Sequence, residues 1–247
     1  MTQRQAVEET LEKLGGIATL GQLYKETFSI ENCQWKTKTP FASIRRIVQQ
    51  DDNIYRIKPG LYALVSYKKK LESIGIVVET EKNKNSNELK SFNHTYYQGL
   101  LVLIGNMKNM DTFIPDQDKN KVFSNTKLGS IRSLQIVPHF SYDIFVNRIK
   151  TDDVIWFNKR KMPSSLFEVE NTTDIQNSLL KYYDLQDFNT RMVIVADEMR
   201  LREFETKYSY SAFLSLRDNK RVSFLSFNDL EKQYSRLLEL KNIDVIL

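Results

Sequence analysis

The sequence predicts two modules of different build: a small helical module closed by a β-hairpin over residues 1–70, and a mixed-sheet α/β domain flanked by helices over residues 94–247, with residues 71–93 as a connector. Three observations carry this reading. Before residue 50, apolar residues recur at helical spacing in three short stretches, and the pattern then switches to two strand-like runs. After residue 94, helical stretches interleave with strand-like runs, the order expected of an α/β domain. The charge is also uneven. The 247 residues sum to +5, yet residues 1–70 hold 12 Lys and Arg against seven Asp and Glu, while residues 71–247 hold 24 of each.

Composition bounds the function class. With 41% hydrophobic and 27% charged residues the chain reads as globular. A single cysteine excludes a disulfide framework and a Cys-rich zinc site, and fits a reducing interior. The start, MTQRQAVEET, has no apolar core of signal-peptide type, and no run approaches the length of a membrane span, so a cytoplasmic protein with no membrane partner is expected. Eight glycines leave no phosphate-binding Gly loop, dinucleotide fingerprint or nucleophile elbow.

In the first module, Val7, Leu11 and Leu14 share a helical face that Gly15-Gly16 ends; Leu20, Leu23, Tyr24 and Phe28 define a second helix starting near Thr19. Thr39 is expected to cap a third, with Pro40 at its first position and Phe41, Ile44, Ile47 and Val48 facing inward. The runs IYRI (54–57) and LYALV (61–65), joined by Lys58-Pro59-Gly60, complete the layout of a winged helix-turn-helix. Turning the apolar residues of the third helix inward leaves Ser43, Arg45 and Arg46 on or near its outer surface. Lys36, Lys38 and Thr39 lie at its N-terminal approach, and Lys58 in the hairpin turn. Basic and polar residues at the start of a recognition helix meet base edges and phosphates, so these seven are candidate contacts to double-stranded DNA. The alternative is an ordinary exposed amphipathic helix. Residues 36–64, KTKTPFASIRRIVQQDDNIYRIKPGLYAL, resemble the HARE-HTH family of winged helices, which implies DNA docking.

In the second module an apolar helix is expected from about His94 to Met107, strands at 133–137, 153–157, 165–170, 192–196 and 222–227, and helices at 173–187, 198–208 and 228–240, the first with Thr173 and Gln176 at capping-box spacing. A further possible strand, IGIVV, lies in the connector. Side chains alternate along a strand, so Glu168 and Glu170 share one face while Phe167 and Val169 take the other. Asp153 opens the preceding strand. If the two strands pair, its carboxylate approaches both glutamates, an all-oxygen donor set suited to Mg²⁺ or Mn²⁺ and to phosphodiester hydrolysis. The plainer alternative places Glu168 and Glu170 on the solvent face of an edge strand.

The run D-V-I-W-F, then F-E-V-E-N-T-T with its first glutamate 15 residues after Asp153, and a helix reading S-L-L-K is similar to the PD-(D/E)XK nuclease superfamily, nearest its type II restriction endonuclease branch. The resemblance implies a restriction-endonuclease-like fold, with Asp153 as the motif aspartate and Glu168 as the metal-binding acid. Both would ligate Mg²⁺, for which Mn²⁺ can substitute, with the Val169 carbonyl as a further ligand. Glu170 stands where the pattern has lysine; it would act as general base or hold a second ion, and Lys181 on the following helix would return the positive charge. Thr151-Asp152 stands where the motif proline is expected, and Asp152 is itself a candidate in place of Asp153. Gln98 in the leading helix, Asp116 and Asp118 in IPDQDKN, and His94 and His139 are weaker candidates, the two histidines too few and too far apart in sequence for a zinc or HNH-type site.

The expected function is therefore a Mg²⁺-dependent endonuclease on double-stranded DNA, of restriction type, working as a homodimer beside a cognate methyltransferase. The competing expectations are a non-catalytic DNA-binding regulator with an inactive nuclease-like domain, favoured by the missing motif lysine, and an endonuclease specific for modified DNA.

Overall fold

The computed structural model describes residues 1–30, 33–35, 37 and 39–244, and Lys36 and Lys38 lie outside the described residues. The chain divides into two units, Met1–Phe92 with Gln233–Leu247, and Asn93–Lys232.

The first unit contains α1 (Gln3–Lys13), β1 (Ile17–Thr19), α2 (Leu20–Glu26), α3 (Pro40–Gln50), β2 (Ile54–Lys58), β3 (Leu61–Leu64) and α4 (Lys68–Ser73). Capping boxes, Thr2 with Gln5 and Thr19 with Gln22, satisfy the free N–H groups at the starts of α1 and α2. Helix α3 does begin at Pro40, but the Thr39 side chain makes no capping bond. The strands form an antiparallel sheet in the order β1-β3-β2. Strand β1 is an addition to the sequence reading, because three residues are too few to show a period. Val7, Leu11, Leu23, Tyr24, Ile44, Val48, Ile54 and Tyr62 make the core of this unit. Gly16 is required where it stands, since its φ is +88° and a Cβ there would lie 2.1 Å from the Tyr67 ring. IGIVV forms no strand; Ile76 is buried singly and the segment runs on without a partner strand.

The second unit is built on α5 (Asn87–Met107), β4 (Asp111–Phe113), β5 (Val122–Phe123), β6 (Thr126–Lys127), α6 (Leu128–Ile131), α7 (Asp143–Ile149), β7 (Val154–Phe157), β8 (Pro163–Glu170), α8 (Ile175–Asp184), β9 (Arg191–Ala196), α9 (Leu201–Tyr208), α10 (Leu214–Asp218), β10 (Val222–Ser226) and α11 (Phe227–Asp244). Helices α5 and α11 each run through a boundary between the units. Five strands form a mixed sheet in the order β10-β9-β8-β7-β4. β8, β9 and β10 are parallel, and β7 runs antiparallel to both β8 and β4.

Helices flank this sheet. On one face Ile155, Phe157, Leu166, Met192 and Ile194 pack with Ile175, Leu179 and Tyr182 of α8 and Phe204 of α9. On the other, the Trp156 ring lies 4.6 Å from that of Phe167, and its indole N–H donates to the Leu101 carbonyl of α5 at 3.1 Å. Two boundaries differ from expectation. α5 starts earlier than His94 because the Ser86 hydroxyl caps it, accepting from the Leu89 N–H. α8 starts at Ile175 with Asp174 as its cap, not Thr173, whose hydroxyl donates instead to Glu170. Residues 133–137 are not a strand: Ser133 and Leu134 make isolated bonds to Thr112, and Ile136 is 77% exposed.

Gly99 lets α5 approach β5, for a Cβ there would meet the Phe123 ring at 2.2 Å. Gly99→Ala is expected to destabilise the protein by about 1–3 kcal/mol through overpacking. Urea unfolding checks this; an unchanged midpoint would show that Phe123 yields freely.

Candidate active site

Strand register brings the predicted acids together. Val154 pairs with Phe167 in the β7–β8 ladder, so Asp153, one residue before β7, falls opposite Glu168. The backbone N–H of Val169 donates to Asp153 Oδ2 at 2.7 Å and fixes that carboxylate against β8. Glu168 and Glu170 are each only 4% exposed, which excludes the solvent-face alternative for both. Val169 takes part through this N–H, and its side chain is buried with Phe167.

Each acid has a different environment. Lys181, projecting from α8, donates to Glu168 Oε1 at 2.7 Å and to the Thr151 carbonyl at 3.1 Å. Burial alone would lower the Lys181 ammonium, but Glu168 first, then Asp152 and Asp153, hold it above its ordinary pKa. Burial pushes the Glu168 carboxyl well up, reinforced by Asp153 and Asp152 and opposed by Lys181. Glu170 is also raised by burial, but its two oxygens accept hydroxyl groups, from Thr173 and Ser178. It therefore pins the start of α8 to the end of β8. Asp152 is fully buried beside Glu168, and the two carboxyls share a hydrogen bond. The Asp152 pKa is pushed up to about 7, chiefly by burial, with Asp153 adding to the rise and Glu168 and Lys181 opposing it.

A second group approaches Asp153 from the other side. His94 Nε2 of α5 lies 3.2 Å from Asp153 Oδ2. One turn on, the fully buried Gln98 donates to Asp118 Oδ2 at 2.7 Å and to the Asp153 carbonyl at 3.3 Å. Burial would lower the His94 imidazolium, but hydrogen bonding and charge from Asp153 raise it above its ordinary value. His94 and Asp118 were the weakest of the sequence candidates, since nothing in their spacing links position 94 to 118 or 153. The helical spacing of His94 and Gln98 was the one available signal. Asp116 turns away to pair with Arg132 at 2.8 Å, and His139 pairs with Asp143 at 3.2 Å.

The arrangement fits a divalent cation on its own chemistry. Asp152, Asp153, Glu168 and Glu170 share a site in which Lys181 and His94 are the cations in direct contact. Buried carboxylates in such excess must take up protons or hold a metal ion. The donors are mainly oxygen, as Mg²⁺ and Mn²⁺ require, and Asp153 and Glu168 stand where one ion can be shared.

In the first unit Thr39 and Arg46 are exposed, and Ser43 and Arg45 are half-buried, with Arg45 paired to Glu239. Lys58 departs from the expected surface contact: its side chain is 10% exposed and its ammonium lies 3.2 Å from Glu79. The hairpin turn that was expected to present it instead folds it against the residues after α4.

Residues 76–245 match the family described as the type II restriction enzyme NmeDI C-terminal domain. The chain belongs to this family. It is also 27% identical over 161 residues to the type II restriction enzyme NmeDI of Neisseria meningitidis serogroup C, a match covering 60% of this chain and 44% of that enzyme. The chain thus matches less than half the length of this relative. No solved structure matches. Every acid of the site, with His94, Gln98 and Lys181, falls inside the stretch shared with the NmeDI C-terminal domain, whereas α3 precedes it. Among the described residues no helix is long and apolar enough to cross a membrane.

Asp152 gives a pH prediction. A carboxyl whose folded-state pKa lies above its unfolded value holds its proton more tightly when folded, so stability falls as pH rises from about 4 to about 7 and stays low above that. With divalent ions removed by EDTA, Asp152→Asn is expected to raise the melting temperature relative to the native protein at pH 8, and by distinctly less at pH 5. A difference that does not change with pH would show that Asp152 is ionised in both states.

Proposed function

We propose that this protein is a Mg²⁺-dependent endonuclease of the PD-(D/E)XK type that cleaves double-stranded DNA as a restriction enzyme. The observation that carries the proposal is the meeting of Asp153, Glu168 and Lys181 at one place on the sheet, with Asp153 opposite Glu168 and the lysine 2.7 Å from it. Asp153 and Glu168 would hold the cation. Bound there, Mg²⁺ supplies a nucleophile from water at neutral pH and offsets the charge that develops on the phosphate. Lys181 restores from α8 the positive charge that Glu170 cannot provide from β8, and its position beside Glu168 lets it orient the attacking water. Glu170, with both oxygens engaged, keeps α8 and hence Lys181 in place.

The first unit would serve as a winged helix that docks the duplex. α3 would present Thr39, Ser43 and Arg46, with Lys36 and Lys38 just before it; Arg45, paired to Glu239, and Lys58, neutralised by Glu79, are left out. Cutting both strands takes two active sites, so a homodimer on DNA is part of the proposal, as is a methyltransferase protecting the same target. A second reading has one observation in its favour. The motif position of the lysine is a glutamate whose oxygens are both occupied, as a domain that had lost catalysis and kept DNA binding would tolerate.

Incubation with plasmid DNA and Mg²⁺ separates the readings. Discrete fragments support the nuclease, and intact plasmid with retarded mobility supports the regulator; unmethylated and methylated plasmid run in parallel reveal dependence on a modified base. Glu168→Ala is expected to reduce cleavage by at least a hundredfold while duplex binding stays within about threefold of native. Cleavage by this variant at the native rate would overturn the site. Arg46→Ala is expected to weaken binding to every duplex alike and to flatten the salt dependence of binding by about one unit of log–log slope. An unchanged slope would remove Arg46 from the interface.

A further inference from the structure

We propose that His94, Asp118 and Asp153 form a second cation site, distinct from the pair Asp153 and Glu168 and selective for a transition-metal ion such as Mn²⁺ or Co²⁺ over Mg²⁺. The site shares Asp153 with the cation proposed for cleavage but stands whether or not the protein cuts DNA.

The geometry comes first. One ligand atom from each of the three residues lies within 4.8 Å of the others, a spread that a single ion can close. They come from three separate elements, α5, the turn before β5, and the residue entering β7, so their convergence is a product of the fold and not of a local acidic run. A second observation concerns Gln98. It is fully buried, and its amide nitrogen already serves Asp118 and the Asp153 carbonyl, which settles which end of the amide faces them. Its Oε1, on that same amide, has no hydrogen-bond partner. An unpartnered buried carbonyl oxygen is unfavourable, and a cation or its bound water would satisfy it. His94 Nδ1 is likewise without a partner, so the ring can turn between its two nitrogens without breaking a second bond.

The present charge partners mark where a cation belongs. Lys121 lies 2.6 Å from Asp118 Oδ1, and His94 faces Asp153 Oδ2. Lys121 is a half-exposed flexible side chain, which an incoming divalent ion can displace. The imidazole sets the selectivity. Mg²⁺ prefers all-oxygen ligands and keeps much of its water, whereas one neutral imidazole beside two carboxylates favours later first-row ions.

The chain contains two histidines, which makes a direct test possible. Full-length Glu168→Ala protein, which lacks an acid of the cleavage site, is titrated with Mn²⁺ while the ring resonances of both histidines are followed by NMR. Equimolar Mn²⁺ is expected to broaden the His94 signals beyond detection and leave those of His139 sharp, and an excess of Mg²⁺ is expected not to restore them. Adding Asp118→Asn should bring the His94 signals back at equimolar Mn²⁺, with a melting curve on the same sample confirming that the variant is folded. Sharp His94 signals in Glu168→Ala, ready restoration by Mg²⁺, or equal broadening with and without Asp118→Asn would each overturn the proposal. Cleavage by Glu168→Ala at the native rate, by contrast, removes the nuclease assignment of Glu168 and leaves this site standing.

Discussion

The site rests on the antiparallel pairing of β7 with β8. That register sets Asp153 opposite Glu168, and the bond from the Val169 N–H to Asp153 makes a backbone group part of the arrangement. Three buried carboxyl groups and the partly exposed Asp153 are thereby gathered at one end of two neighbouring strands, two of them on β8 itself. Water would solvate those charges freely, and the interior does not. Whatever else the domain does must answer this concentration of negative charge, by raised pKa values, by Lys181 and His94, or by bound cations.

The surrounding apolar structure holds that unfavourable assembly together. Ile175, Leu179 and Tyr182 seat α8 on the sheet, and the Tyr182 hydroxyl donates to the Val193 carbonyl at 2.8 Å, so the helix cannot drift away from the acids it faces. On the opposite face Trp156 ties the sheet to α5, the helix that carries His94 and Gln98. The acids are thus gripped from both sides. A domain of this size can sustain a few poorly compensated charges when many well-packed side chains surround them, and functional sites are where such compromises concentrate.

The strands of the large sheet were legible because buried strands read as short apolar runs: DVIWF, SLFEVE, MVIVA and VSFLSF appear within a residue or two of their observed limits. The pairing of Asp153 with Glu168 was legible because alternation and adjacency together imply it. SLQIV misled for the same reason: its apolar alternation reads as a strand, but only Ser133 and Leu134 bond Thr112 of β4 and no ladder follows. The very short strands and single-turn helices carry too few residues for any period to emerge. His94 and Asp118 were illegible as partners because their proximity is set by how α5 crosses the sheet, a property of packing and not of spacing. Lys58 failed in the opposite direction: a basic residue at a hairpin turn reads as exposed, and only the chain beyond α4 reveals its acidic partner.

The place of Lys181 has a consequence for how such a site can vary. A lysine on β8 would be tied to the pleat, its direction fixed by the residue on either side and by the hydrogen-bond ladder with β9. Lys181 instead arrives from a helix with its own attachments to the sheet, apolar through Ile175 and Leu179 and polar through Ser178 and Tyr182. The anionic scaffold and the cation that serves it therefore belong to different elements. Substitution can move or replace the cation without rewriting the strands. The acids and their positive partner can thus vary independently, with Glu170 left on the strand and the lysine supplied by the helix.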